Sequence, residues 1–437
     1  MNKQTLILQA EQILQNNMRD GFTIPTAKLY PFQWNWDSGF VALGLQHIDI
    51  NTAITELKSL FSGQWGNGMV PHIIFHSETE TTYFPNFDFW DTTVNQTASQ
   101  QPKTSGISQP PVHGFVIEEL WKNHRTHTDL KEFIAWIFPK ILKSHKFYSQ
   151  FRDPNKEGLF YIYHPWESGR DNSPIWDESL SRIQIEPGSI PNYKRKDTSL
   201  ADASERPTSA QYDRYVYLLE LGKKHRYDGQ HIYEESPLII QDIMMNSILV
   251  RSATAMINLG KEFKFDVSFF EHQVDLAKKH FDTKFWSEKL DFYVSFDEKE
   301  NRQIEHKEIG GLVSLLSGIP SQEKAERLNA YLINLHNNGY ALCPSFDVTH
   351  PLFDSKRYWR GPIWCQMNWM IYKGLKSYGF HATANIVKND FLALVSRLGF
   401  YEYFEPQKDI AKGLTKGYGG DNFSWTAAIT LDLIYSK

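Results

Sequence analysis

Cysteine is almost missing from this sequence, which has only Cys343 and Cys365 in 437 residues. The two make neither a Cys-x-x-Cys pair nor a disulfide framework, so a reducing compartment is expected. Long apolar runs are missing as well. No stretch approaches the ~20 residues of a membrane span. The start, Met-Asn-Lys-Gln-Thr-Leu-Ile-Leu-Gln-Ala-Glu-Gln-Ile-Leu, reads as an amphipathic helix rather than a signal peptide. The expectation is a cytoplasmic protein without a membrane partner. Basic blocks are absent too: the net charge is −5 with Lys and Arg scattered, which excludes the electrostatic footprint of a nucleic-acid binder. No His-Glu-x-x-His, Gly-x-Ser-x-Gly, P-loop or zinc-spaced Cys/His set is present, and the sixteen histidines are not clustered. No metal and no cofactor is expected.

Aromatic residues, by contrast, are plentiful. Thirteen Trp, 21 Tyr and 29 Phe make up 14% of the chain, many of them beside Gly, Pro, Asn and Asp rather than in apolar helical stripes. Aromatic faces pack on the C–H faces of sugar rings, so a small carbohydrate is the favoured partner. Helical periodicity dominates. It predicts helices over 3–18, 36–46, 51–62, 113–124, 129–150, 209–225, 238–259, 266–281, 307–317, 321–336, 362–378, 382–397 and 423–435. Strand signals are confined to Leu159–Tyr163, Phe292–Phe296 and Met69–Ile74. Three long aromatic-rich loops, 63–112, 152–208 and 339–361, hold most of the informative residues, as functional loops do. With no linker and no fixed repeat, the chain is expected to be one all-α domain, 1–437. Paired helices with long loops at one rim predict an (α/α) barrel. Assembly into a homo-oligomer is compatible with the sequence.

Two loop segments carry carboxylates framed by aromatics. Residues 164–177 read His-Pro-Trp-Glu-Ser-Gly-Arg-Asp-Asn-Ser-Pro-Ile-Trp-Asp, which sets Glu167, Arg170 and Asp171 between Trp166 and Trp176. Residues 399–406 read Gly-Phe-Tyr-Glu-Tyr-Phe-Glu-Pro, which encloses Glu402 in four aromatics. Glu405 competes with it, but the following Pro406 gives Glu405 the look of a turn residue. A glycine-rich stretch with Gly413, Gly417, Gly419 and Gly420 then leads to Phe423-Ser424-Trp425-Thr426-Ala427. Glycoside hydrolysis usually needs two carboxyl groups, one protonated and one able to attack or activate water. Apolar surroundings keep such an acid neutral. A structural ion pair is the competing account of Glu167, Arg170 and Asp171.

Four motifs in order, Trp34-Asn35-Trp36-Asp37-Ser38-Gly39-Phe40, Glu167-Ser168-Gly169-Arg170-Asp171, Tyr358-Trp359-Arg360-Gly361-Pro362-Ile363-Trp364 and Tyr401-Glu402-Tyr403 leading to Phe423–Ala427, resemble glycoside hydrolase family 63. They are also similar to the related trehalase and glucoamylase-like (α/α)6-barrel enzymes. Length and motif order look most like the bacterial mannosylglycerate and glucosylglycerate hydrolases. The resemblance implies an inverting, exo-acting α-glycoside hydrolase that releases glucose or mannose from a small glycoside such as glucosylglycerate or mannosylglycerate. Asp171 falls on the family's acid and Glu402 on its base, and inversion asks that the two be separated by roughly 6.5–9.5 Å.

By the same resemblance, Trp36 and Asp37 belong to the sugar pocket, and Tyr358, Trp359, Gly361 and Trp364 to its opposite wall. Tyr30, Tyr83, Gln109 and Trp166 are further substrate-binding candidates. Arg206 and Tyr212 would hold a glycerate carboxylate, which arginine suits by its bidentate geometry, with a structural pairing of Arg206 to Glu205 or Asp202 as the competing account. Three other readings stand beside this one. An oligosaccharide-directed α-glucosidase or α-mannosidase would have a neutral leaving group. A sugar epimerase would use paired histidines, for which His72, His76 and His306 are candidates. A carbohydrate-binding protein would not turn substrate over.

Overall fold

In the computed structural model the described residues are 2–27, 29–77, 83–195, 202–408 and 417–436. Twelve helices among them build two concentric rings. In chain order they are α1 (Lys3–Asn17), α2 (Asn35–Leu45), α3 (Ile50–Ser62), α4 (His113–Asn123), α5 (Thr128–Phe151), α6 (Ile243–Phe263), α7 (Ser268–Phe285), α8 (Ile309–Ser317), α9 (Gln322–Asn337), α10 (Cys365–Ser377), α11 (His381–Leu398) and α12 (Ser424–Tyr435). The even-numbered helices touch in sequence, α2 to α4, α6, α8, α10 and α12, and α12 packs back on α2 to close the circle. The odd-numbered helices lie outside: α1 against α12, α3 against α2, α7 against α6 and α11 against α10. This is the (α/α)6 barrel.

The two rings differ in sequence because they differ in solvent. Every residue of α2 and α8 is buried, and neither helix has a charged outer face. The outer helices are amphipathic. In α9 the buried stripe is Ala325, Leu328, Leu332 and Leu335, on one face, with Glu, Lys and Arg on the other. All six inner helices start at one rim. Asp242 and Glu308 cap the N-termini of α6 and α8, accepting from Met245 N at 2.9 Å and Gly310 N at 2.8 Å. The positive ends of the inner helix dipoles therefore converge on the same rim as the long loops.

Boundaries moved where caps or short pairings outrank periodicity. The helix expected from 238 starts at Ile243 instead, because Ile240–Gln241 pairs with Phe296–Asp297 and Asp242 supplies the cap. The strand expected over Leu159–Tyr163 reduces to one bridge, Ile162 to Ile240. Met69–Ile74 contributes Ile73–Phe75, the middle of a three-stranded antiparallel sheet with Gln33–Trp34 and Lys103–Thr104. No helix among the described residues is long and apolar enough to cross a membrane.

Candidate active site

A cavity opens where the inner helices begin. Trp36 and Asp37 reach it from the first turn of α2, Gln109 from the approach to α4, Trp364 from the N-cap of α10 and Trp425 from the first turn of α12. Gly169, Asp171, Arg206, Tyr358 and Glu402 complete it from the loops, with Tyr30, Tyr83 and Trp166. Tyr212 comes from a further helix, Ser209–Lys224, whose start is capped by Thr208. Twelve sequence candidates thus meet in one place. Trp359 and Gly361 do not line it. Trp359 is 1% exposed and stacks behind Trp364 with ring centroids 3.8 Å apart, so it supports the wall from within. Gly361 faces the other way: a Cβ there would meet the Asp354 carbonyl oxygen at 2.5 Å.

The Asp171 loop is locked by its neighbours. Arg170 is fully buried between Asp242 and Glu308 and pairs with both, so one side chain ties the N-terminal caps of α6 and α8 together. Its carbonyl accepts from Trp176 Nε1 at 2.7 Å, and the next carbonyl, of Asp171, accepts from the Tyr215 hydroxyl. Gly169 lies flat against Trp36 with φ +67°, and a Cβ would sit 2.5 Å from the indole. Only glycine meets both conditions. Asp171 itself is half-buried and lines the cavity. Glu167 is withdrawn from it, 0% exposed, paired with Arg152 at 3.2 Å and bonded by Ser108 Oγ at 2.6 Å. Its role is structural.

Glu402 is 1% exposed and held at both oxygens. Tyr30 OH donates to Oε1 at 3.1 Å, and Gly420 N donates to Oε2 at 3.0 Å. Gly419, at φ +71°, brings the 417–420 backbone close enough for that bond, and a Cβ there would collide with the carboxylate. Gly413 lies outside the described residues. Burial pushes the Glu402 carboxyl above its ordinary range, partly offset by the Arg206 cation and the two donors. Asp37 is pushed well up as well, by burial and then by the Glu402 charge. Glu405 does not face the cavity. It is 1% exposed and accepts from Tyr418 OH at 3.1 Å.

Arg206 is 2% exposed and stands in the cavity wall with its guanidinium 4.7 Å from the Tyr358 ring. Its Nη2 donates to Tyr30 OH at 3.0 Å, and its buried Nε has no hydrogen-bond partner among the described residues. Nor does it form an ion pair with any described carboxylate, Glu205 and Asp202 included. Tyr212 sits nearby, its hydroxyl 3.5 Å from the Phe84 carbonyl. Gln109 Oε1 accepts from Trp36 N at 3.1 Å and so fixes the start of α2.

Several cavity residues escaped the sequence reading. Trp34, Phe423 and Trp425 lie within the very motifs that carried the family resemblance, and that position was the available signal. His72 had none as a member of this cavity. It is 3% exposed, edge-on to Trp34 with ring centroids 4.6 Å apart, and burial keeps its imidazole neutral by lowering its pKa. The paired-histidine arrangement of an epimerase does not form: His76 bonds Gln33 Oε1 at 2.7 Å, and His306 packs on Phe346 and His350, both away from the cavity. No group of three or more His, Cys, Asp or Glu among the described residues could hold a metal ion.

Known proteins share the sequence family and the fold. The model of the "Mannosylglycerate hydrolase MGH1-like glycoside hydrolase domain" matches residues 30–426. The mannosylglycerate hydrolase of Thermus thermophilus is 39% identical over 97% of this chain and 99% of its own. The glucosylglycerate hydrolase of Mycolicibacterium hassiacum is 30% identical over 98% and 97%. The crystal structure of the Thermus thermophilus family 63 enzyme with Tris and D-glycerate superposes with a TM-score of 0.90 at 39% identity, covering 98% of this chain and 99% of that one. Neutral trehalase of Saccharomyces cerevisiae, at 17% identity and a TM-score of 0.55, shares the barrel alone. The barrel is therefore shared with solved relatives over nearly its whole length, and this chain belongs to the MGH1-like glycoside hydrolases of family 63.

Proposed function

We propose that the protein hydrolyses small α-glycosides of glycerate, glucosylglycerate or mannosylglycerate, by single-step inversion. The observation that carries this is one cavity lined by Asp171, Glu402 and a buried arginine with no carboxylate paired to it among the described residues. Asp171 is the acid and gives its proton to the glycosidic oxygen as the bond to the anomeric carbon breaks. A water on the opposite face of the sugar forms the new C–O bond, and Glu402 takes its proton. The raised proton affinity of Glu402 suits a base whose conjugate acid must form during the reaction. Trp36, Trp364 and Trp425 supply apolar walls, and Asp37 and Gln109 supply polar partners for sugar hydroxyls.

Arg206 and Tyr212 are assigned to the glycerate carboxylate. Arg206 reaches the Glu402 charge only through Tyr30 and keeps an Nε free among the described residues, so a carboxylate entering the cavity would give it a direct partner. The names of the relatives, and the D-glycerate in the solved Thermus thermophilus structure, support the same substrate class. The inner ring that α12 closes on α2, with the outer helices packed around it, supports reading the chain as one catalytic domain. Proton NMR of the first-formed sugar, on a panel of glycosylglycerates, tests the mechanism. The β-anomer is expected first, and an α-anomer formed first would overturn inversion. Asp171→Asn and Glu402→Gln should each lower kcat by about 10²–10⁴-fold without loss of fold.

A further inference from the structure

We propose that Tyr30 couples the leaving group to the base: Arg206, Tyr30 and Glu402 form one hydrogen-bonded line, through which a carboxylate docking at Arg206 makes Glu402 a better proton acceptor. The inference rests on the glycerate reading above and adds to it a consequence for catalysis.

Hydrogen-bond chemistry fixes the direction of the line. A guanidinium has donors only. The 3.0 Å contact from Arg206 Nη2 must therefore be received by the Tyr30 oxygen, which leaves the single phenolic proton to point at Glu402 Oε1, 3.1 Å away. Burial, aided by the charge of Glu402, outweighs the opposing Arg206 cation and keeps the Tyr30 phenol protonated, so the donor persists at any working pH. Arg206 and Glu402 are 2% and 1% exposed, and in so dry a setting the cation is felt beyond contact distance.

The groups that face Glu402 are few. Gly420 N holds the second oxygen. Tyr30, Tyr358 and Tyr403 are phenols that burial keeps neutral. Asp37 is a carboxyl that burial pushes well up. Arg206 is the cation of the set, and it draws the proton affinity of Glu402 down while burial raises it. A carboxylate on Arg206 cancels that pull. It also weakens the polarisation of the Tyr30 hydroxyl and hence the bond that Tyr30 donates to Glu402. Both effects act in one direction: the base strengthens when a charged leaving group is in place and stays weaker behind a neutral one.

The test compares glucosylglycerate with its methyl ester on the intact wild-type enzyme, by single-turnover rates of bound substrate across pH. The acidic limb should lie about one pH unit higher for the free acid than for the ester. In kcat/KM, which reports the unliganded enzyme, the two limbs should coincide. Coincident limbs in the bound-state rates would overturn the coupling. The glycerate reading would survive that result if the ester still shows a raised KM and Arg206→Gln abolishes the difference, and would fail separately if acid and ester bind alike. In Tyr30→Phe the gap between the two substrates should shrink, and an undiminished gap would remove Tyr30 from the path.

Discussion

Arg170, in the Asp171 loop, and Arg206, beside Glu402, are both withdrawn from solvent, at 0% and 2% exposure. Their surroundings differ in one respect. Arg170 has a carboxylate on each side, Asp242 and Glu308, each also engaged with a helix N-terminus. Arg206 has a phenol, an aromatic face and the cavity. The first arrangement satisfies its charges internally and joins two inner helices to the loop that presents Asp171. The second leaves the guanidinium at the cavity wall with no carboxylate in direct contact among the described residues. Burial of an arginine says little about its role until the partners are known.

Removing each charge should separate the two sites cleanly. Arg170→Met strands two buried carboxylates, and breaking such a pair costs roughly 3–5 kcal/mol, which urea denaturation would show as a large drop in midpoint. Adding Asp242→Asn and Glu308→Gln to Arg170→Met should recover much of that loss. A single variant as stable as wild type would break the comparison.

A buried acid offers the converse case. Glu56 is 2% exposed and is held by neutral donors, Ser38 Oγ at 2.5 Å and Gln33 Nε2 at 3.0 Å, and burial raises its pKa to about 7. The folded state then holds the Glu56 proton between pH 4.5 and 7 while the unfolded chain releases it, so stability falls as pH rises through that window. Glu56→Gln should remove about 3 kcal/mol of this pH dependence. An unaltered slope of stability against pH would show that Glu56 is not the group responsible.

The smallest effect is expected at Arg206. Arg206→Gln should raise KM for a glycosylglycerate by about 10–100-fold, the worth of a charge-assisted hydrogen bond, and should leave a neutral aryl glycoside nearly unchanged. Equal changes in KM on both substrates would return the leaving-group assignment to a neutral one.

Much of this was legible along the chain. The outer helices announced themselves by one-sided apolar stripes, as in α9, and the inner ones by apolar runs without a polar face, as in α8. Asp171 and Glu402 stood out because carboxylates among tryptophans, tyrosines and glycines are poor surface chemistry. The motif order supplied the family. Periodicity misplaced the start of α6, because the pairing of Ile240–Gln241 with Phe296–Asp297 is a long-range fact and Asp242 then caps the helix. The motif from Tyr358 to Trp364 was legible only in part. Tyr358 and Trp364 face the cavity, while Trp359 and Gly361, which lie between them in the chain, are carried behind the wall by the turn.

By itself, then, the sequence determined the class of fold and the family and singled out two carboxylates that line the cavity, because each is written in local pattern: apolar period, motif order, charge beside aromatic rings. Only the tertiary structure decided which of the neighbouring charged groups face the cavity. Glu167 and Asp171 share one short motif, yet one is locked against Arg152 and the other opens to the cavity. Arg170 and Arg206 are both loop arginines with acidic neighbours in the chain, and what long-range folding places beside each separates them. Partners decide the function of a buried charge, and partners come from distant parts of the chain.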